Sequence, residues 1–207
     1  YFKDLKSTYS TGRQRKTEIR IFDDVDVKKV VVKNSKLYVN REDGFIGTSL
    51  RREEYVEDCS DIDDIIVFTS NGDMIVTKVD SKKFVAKNIL YVSVFKKRDS
   101  RTIYNMIYKE GKSGVSYIKR FNVTGVTRDK TYNLTSQNPK TKILHFSANP
   151  NGEAEIVTIQ LRQSGSIKKL KWDLDFADLA IKGRSVKGNI VSKYSVNKVI
   201  FKEKGLS

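Results

Sequence analysis

The chain has 207 residues, 38% of them hydrophobic and 31% charged, with two prolines. That length can bury a sizeable core as one domain, and no apolar run nears the roughly 20 residues of a membrane helix, so a soluble protein without a membrane partner is expected. Forty Lys and Arg against 25 Asp and Glu leave a net charge of +15, an excess that favours polyanionic partners.

The chain opens on Tyr1, with no charged stub and apolar run ahead of a cleavage site, so no secretory signal is expected and the sequence looks like a piece of something longer. One cysteine, Cys59, cannot form an internal disulfide and suits a reducing cytosol. Residues 1–19 are basic, with spaced apolar positions at Phe2, Leu5 and Tyr9 and a break at Gly12. They predict the tail of a helix entering a strand or linker. From Thr17 the pattern alternates, an acidic loop follows at Asp23, Asp24 and Asp26, and the remainder is strand-like.

Four hairpins are expected beyond that loop. Val30–Val32 and Leu37–Val39 flank a polar turn at 33–36, and a further extended run, Phe45–Thr48, follows Glu42-Asp43-Gly44. The clearest hairpin is Asp64–Val79, where Ile65–Phe68 and Met74–Val79 face each other across Asn71-Gly72, residues that tolerate the positive φ of a type I′ turn. Ile103–Tyr108 and Val115–Phe121 flank Gly111–Gly114, and Ile143–Phe146 and Glu155–Leu161 flank Asn149–Gly152. Turn centres near Asn34, Gly72, Gly111 and Gly152 recur about every 40 residues, a period of bladed β-architectures. A β-sandwich is the alternative. Phe176–Ile181 is read as an extended connection rather than a helical turn, and a last strand pair is expected around Ile190–Tyr194 and Val199–Phe201.

The pattern holds no catalytic constellation. Glu57, Asp58, Asp61, Asp63 and Asp64 lack the glycine-turn spacing of a calcium loop and read as solvated. His145 is the sole histidine, which excludes a multi-histidine zinc site. Basic loops, by contrast, fall at comparable places relative to the hairpins: Arg13, Arg15 and Lys16; Lys82, Lys83 and Lys87; Arg128 and Lys130; Lys182, Arg184 and Lys187; with Lys119 and Arg120 at a strand end. In a bladed disc these cations trace one curved stripe that suits the phosphates of a bent duplex, while Gly183, Ser185 and Gly188 let backbone N–H groups approach them.

Three stretches carry a resemblance. Tyr9 to Ile19, with Gly12, Arg13, Arg15, Lys16, Thr17 and Glu18, is similar to the segment leaving the coiled-coil part of a bacterial type IIA topoisomerase cleavage core. Asp63–Val79 resembles the blade hairpin that recurs in the C-terminal region of that family's A chains, and Lys182–Gly188 resembles the gyrase box without its leading Gln. The acidic link 49–60 between the first two hairpins favours topoisomerase IV over gyrase. The resemblance implies an all-β fold, a β-pinwheel of about four to five propeller-like blades over 23–207, with 1–22 as the tail of the cleavage core and linker. It also implies a cytoplasmic, nucleoid-associated, non-catalytic module that bends or positions double-stranded DNA for strand passage. The nucleophilic tyrosine would lie outside this chain, and ATP and Mg would belong to the B subunit of an A2B2 parent, leaving no cofactor here. The alternatives are the DNA-wrapping gyrase domain and, from another class, a propeller used for protein interaction.

Overall fold

The structure, a computed structural model, describes residues 1–9, 33–136, 138–165 and 167–204. The chain divides into two units, Tyr1–Val32 and Lys33–Ser207. In the first, α1 (Phe2–Tyr9) falls where a helix tail is expected: the Leu5 N–H donates to Tyr1 O at 3.0 Å, and the Ser7 and Thr8 hydroxyls donate to Asp4 O. The 22/23 boundary and the strands expected at 17–21 and 30–32 lie outside the described residues.

Among the described residues of the second unit, sixteen strands form four sheets. The first contains β1 (Ser35–Asn40), β2 (Phe45–Gly47), β3 (Glu54–Cys59) and β6 (Lys83–Phe84), in the order β3-β1-β2-β6. The second contains β4 (Asp64–Thr69), β5 (Asp73–Lys78), β7 (Ile89–Phe95) and β10 (Thr131–Asn133), in the order β10-β5-β4-β7. The third orders β11 (Lys142–Asn149), β8 (Ile103–Lys109), β9 (Ser116–Asn122) and β14 (Ile181–Gly183), with β15 (Asn189–Ser192) also on β9. The fourth is β13 (Lys171–Asp175), β12 (Glu155–Leu161) and β16 (Val196–Lys204), in that order.

The continuous apolar run of β4 has a simple cause. Successive side chains point to opposite faces of a strand. Ile65 and Val67 join a core with Leu37, Val39 and Ile46 of the first sheet, while Ile66 and Phe68 join Tyr104, Met106 and Tyr108 of the third. Both faces of the second sheet are covered, so neither set can be polar, and each such side chain contributes about 1.5–3 kcal/mol relative to exposure. The third sheet is likewise shared, with Ile107 and Ile118 turned towards Val157, Ile159 and Phe176. The sheets therefore stack first on second, second on third, third on fourth.

The expected β-pinwheel is corrected by this arrangement. The four sheets are open, none curls or closes on itself, and no core cluster among the described residues joins the fourth sheet to the first. The fourth expected hairpin does not exist: β11 pairs with β8, whereas β12 pairs with β13 and β16, so the turn at Asn149–Gly152 carries the chain from one sheet to the next. Turn chemistry is the same for a hairpin and for a crossover, which is why spacing alone suggested a repeat.

Local corrections follow the same logic. Ser35 and Lys36 belong to β1, whose hairpin partner β2 lies across Arg41–Gly44, and the acidic link contains a strand, β3. The hairpins β4–β5 and β8–β9 form as expected. At the β4–β5 turn, however, Gly72 alone takes a positive φ, +90°, and its N–H donates to Thr69 O at 3.1 Å while the Asp73 N–H donates to Thr69 Oγ1. This is a three-residue loop with a left-handed glycine rather than a type I′ turn. Phe176–Asp178 is a 3-10 turn capped by Asp175, because Phe176 must drop into the core. The last two strands, β15 and β16, lie in different sheets.

Candidate nucleic-acid interface

The third sheet has an unusual edge. β14 runs parallel to β9, Ile181 to Gly183 beside Arg120 to Asn122, and β15 runs antiparallel to it, with Asn189 opposite Ile118 and Ile190 opposite Tyr117. Both strands share one edge of β9 at opposite ends, so the connection 184–188 must bulge outward opposite Lys119. Gly188 makes the return possible: its φ is +98°, and a Cβ there would lie 2.5 Å from Ile118 O. That close approach packs the return of the loop onto β9. A Cβ on Gly183 would meet nothing within 4 Å.

Four anchors hold this loop. Lys119, 4% exposed as a residue, donates from Nζ to Leu134 O and Arg184 O at 2.6 Å and to Val186 O at 3.1 Å. Burial pushes this ammonium down to about 8. The Tyr108 hydroxyl donates to Lys187 O at 2.6 Å. Lys187 Nζ stands 4.5 Å from the Tyr117 ring centre and 3.4 Å from Glu110 Oε1. Arg184 donates to Gly125 O at 2.8 Å, and its guanidinium covers the Tyr132 ring at 4.4 Å, with Lys130 Nζ 5.5 Å from the same ring. The result is one ring, Tyr132, with two cations within 5.5 Å of its centre, and a second ring, Tyr117, carrying a third at Lys187.

Glu110 organises the neighbouring turn. Its carboxylate accepts from Ser113 Oγ and, at 2.8 Å, from Asn138 Nδ2; hydrogen bonds from Ser113, Ser136 and Lys187 hold it down to about 2. A carboxylate with a lowered folded pKa stabilises the fold above its ordinary value near 4.5, and that contribution is lost as pH falls towards 2. Glu110→Gln is therefore expected to destabilise the protein by a constant amount above about pH 5, by less as the solution is acidified, and hardly at all near pH 2. Denaturant melts across this range check it; a difference independent of pH would contradict the assignment.

The remaining expected cations divide sharply. Lys83 Nζ pairs with Asp129 at 2.7 Å and Thr77 Oγ1 at 2.5 Å, and Arg128 grips the buried Asp64 with Nε–Oδ1 2.7 Å and Nη2–Oδ2 3.2 Å. These fasten the segment after β9 to the first and second sheets. Arg120 donates to Gly152 O at 2.5 Å and secures the crossover to the fourth sheet. Lys82 lies over the Phe45 ring at 4.7 Å, on the first sheet; Lys87 and Lys182 are exposed. Arg13, Arg15 and Lys16 lie outside the described residues. Sequence reasoning passed over Lys96, Lys97 and Arg98, all exposed on the turn after β7. The Arg98 N–H donates to Thr124 O at 3.0 Å, one residue from the carbonyl that receives Arg184. Three consecutive cations were the available signal.

Other polar groups are spent internally. Glu57 Oε1 accepts from the Val94 N–H at 2.6 Å, Asp58 from the Tyr55 hydroxyl, and Asp63 from the Ser60 N–H. No group of three or more His, Cys, Asp or Glu that could hold a metal ion occurs among the described residues. His145 Nε2 lies 2.7 Å from the buried Glu155, and burial raises the Cys59 thiol. No described helix is long and apolar enough to cross a membrane.

Fold and site together define an all-β domain whose connecting loops place cations over aromatic rings of its strands. The chain belongs to the topoisomerase C-terminal domain family of Bacteroidota, whose model matches residues 36–204. It is 31% identical over 199 residues to the A subunit of DNA topoisomerase 4 from Borreliella burgdorferi, covering 96% of this chain and 30% of that protein. The chain thus spans about a third of the length of this curated relative. A crystal structure of the C-terminal domain of DNA topoisomerase IV superposes with a TM-score of 0.49 at 13% identity, covering 89% of this chain and 65% of that one. The resemblance to the C-terminal region of bacterial type IIA topoisomerases holds at the family level.

Proposed function

We propose that this domain binds double-stranded DNA through its phosphates and positions the duplex for strand passage by a parent topoisomerase of the topoisomerase IV kind. The observation that carries the reading is the pairing of Lys130 and Arg184 with the Tyr132 ring and of Lys187 with the Tyr117 ring, on a chain of net charge +15. Cations ordered by rings and carbonyls lose little freedom on meeting a phosphate, and no base reading is required. Lys82, Lys87, Lys182 and the turn 96–98 supply further exposed cations, and Arg13, Arg15 and Lys16 remain phosphate contacts proposed from the sequence alone. Lys119, Arg120, Lys83 and Arg128 serve the interface by holding its loops. In the parent, an A2B2 enzyme in the cytoplasm and associated with the nucleoid, ATP and Mg would be used by the B subunit.

A salt titration tests the reading. Duplex affinity should fall by orders of magnitude between about 50 and about 200 mM salt, log K being linear in log salt. Arg184→Ala with Lys187→Ala should weaken binding to long duplexes equally for all sequences and flatten the salt slope by about 0.9 per lost phosphate contact. Unchanged affinity in this variant would overturn the assignment of the loop. ATP-dependent introduction of negative supercoils by the reconstituted parent would instead favour the gyrase alternative.

A further inference from the structure

We propose that Lys119 is the positioning residue of this interface: it binds no phosphate itself but clamps the loop 184–188 onto β9, and through that clamp sets where Arg184 and Lys187 present their charges. The inference rests on the loop being the DNA contact. The geometry is specific. β14 and β15 leave β9 free opposite Lys119 alone, with Ile118 paired to Asn189 on one side and Arg120 to Ile181 on the other. The Lys119 ammonium donates to two carbonyls of the loop that spans this gap, Arg184 O and Val186 O, and to Leu134 O of the segment following β10.

One side chain thereby ties together the two segments that carry the stack, since Lys130 and Tyr132 precede Leu134 while Arg184 belongs to the loop. Nζ also lies 4.7 Å from the Phe121 ring centre, which closes its remaining side. An ammonium has three N–H donors, and all three are met by carbonyls. Nothing remains to offer an external anion. Tyr108, through Lys187 O, is a second and weaker clamp on the same loop.

The test uses the full chain and three variants. Lys119→Met removes the three donors at similar length, Tyr108→Phe removes one hydroxyl while keeping the ring, and Arg184→Ala with Lys187→Ala removes the presented charges and keeps both clamps. Hydrogen exchange over 183–190 reads the loop directly, and the Val186 N–H, which donates to Gly183 O at 3.1 Å, is its natural reporter. Exchange there is expected to accelerate about tenfold or more in Lys119→Met and less in Tyr108→Phe, with strands β4 and β8 still protected.

Duplex affinity should fall in the same order. The salt slope in Lys119→Met should flatten as it does in the charge-removal variant, by up to about 2, although the substituted residue faces no solvent. A residue that only supported folding would lower the active fraction and leave that slope unchanged. Should Lys119→Met fail to fold, Tyr108→Phe carries the test alone, because its ring packing is retained. Unaltered exchange over 183–190 in Tyr108→Phe and Lys119→Met would overturn the clamp. Faster exchange with full affinity and slope, while Arg184→Ala with Lys187→Ala weakens binding, would overturn the positioning role. Normal binding by the charge-removal variant would instead refute the loop as a DNA contact, and with it the reading on which this inference rests.

Discussion

Phe68→Ala is expected to lower the unfolding free energy by about 3–5 kcal/mol, the range for emptying a fully buried aromatic site. Phe68 is 0% exposed, and its ring lies 4.8 Å from that of Tyr104, 4.7 Å from Phe146 and 6.0 Å from Tyr91. Those partners belong to the second and third sheets, so the ring is a central joint between them. The neighbours are themselves large rings held by their strands, and they can collapse little into the space left. Denaturant unfolding measures the loss, and a change below about 1 kcal/mol would mean that the two sheets do not meet as described. The same core includes Tyr108 and Tyr117, which touch Lys187 of the loop 184–188, together with Phe121 and Leu134. Duplex affinity of the folded fraction should nonetheless persist, because the clamp lies on β9 and not on β4.

Gly44→Ala is expected to be similarly damaging for a different reason. Gly44 has φ +82°, and a Cβ there would lie 2.2 Å from Ala86 O and 2.5 Å from Ala86 C, both backbone atoms. The left-handed conformation alone costs a non-glycine residue about 1–3 kcal/mol. The overlap adds to this by pushing the segment 83–87 off the first sheet, breaking the 2.9 Å bond from the Val85 N–H to Gly44 O. β6 has only two residues and cannot hold its place by itself. Thermal unfolding together with protease cleavage near residues 80–88 would show the effect. Gly125→Ala is the control, since a Cβ there meets nothing within 4 Å, and its stability should change by about 0.5 kcal/mol or less. Equal stabilities for the two variants would contradict the close approach.

The candidate site was half legible. Lys130, Arg184 and Lys187 stood out as basic loop residues, and they do converge around Tyr132 and Tyr117. Lys119 and Arg128 read identically in the sequence, yet one is enclosed by three carbonyls and the other grips a buried carboxylate. A lysine codon carries no mark of its partner. The partners here lie 15 to 67 residues away along the chain, and they become neighbours only through sheet pairing.

What the amino-acid sequence determined by itself was local: the β class, the hairpins β4–β5 and β8–β9, the helical tail at α1 and the positive charge. Each follows from turn residues, strand formers or composition acting within a few residues. Only the tertiary structure decided that β11 pairs with β8 and not with β12, that an acidic stretch becomes β3, that the sheets remain open and stacked, and which lysines face solvent. The reason is physical: a strand's edge hydrogen bonds are the same whatever partner completes them, so the choice falls to which apolar faces can be covered together.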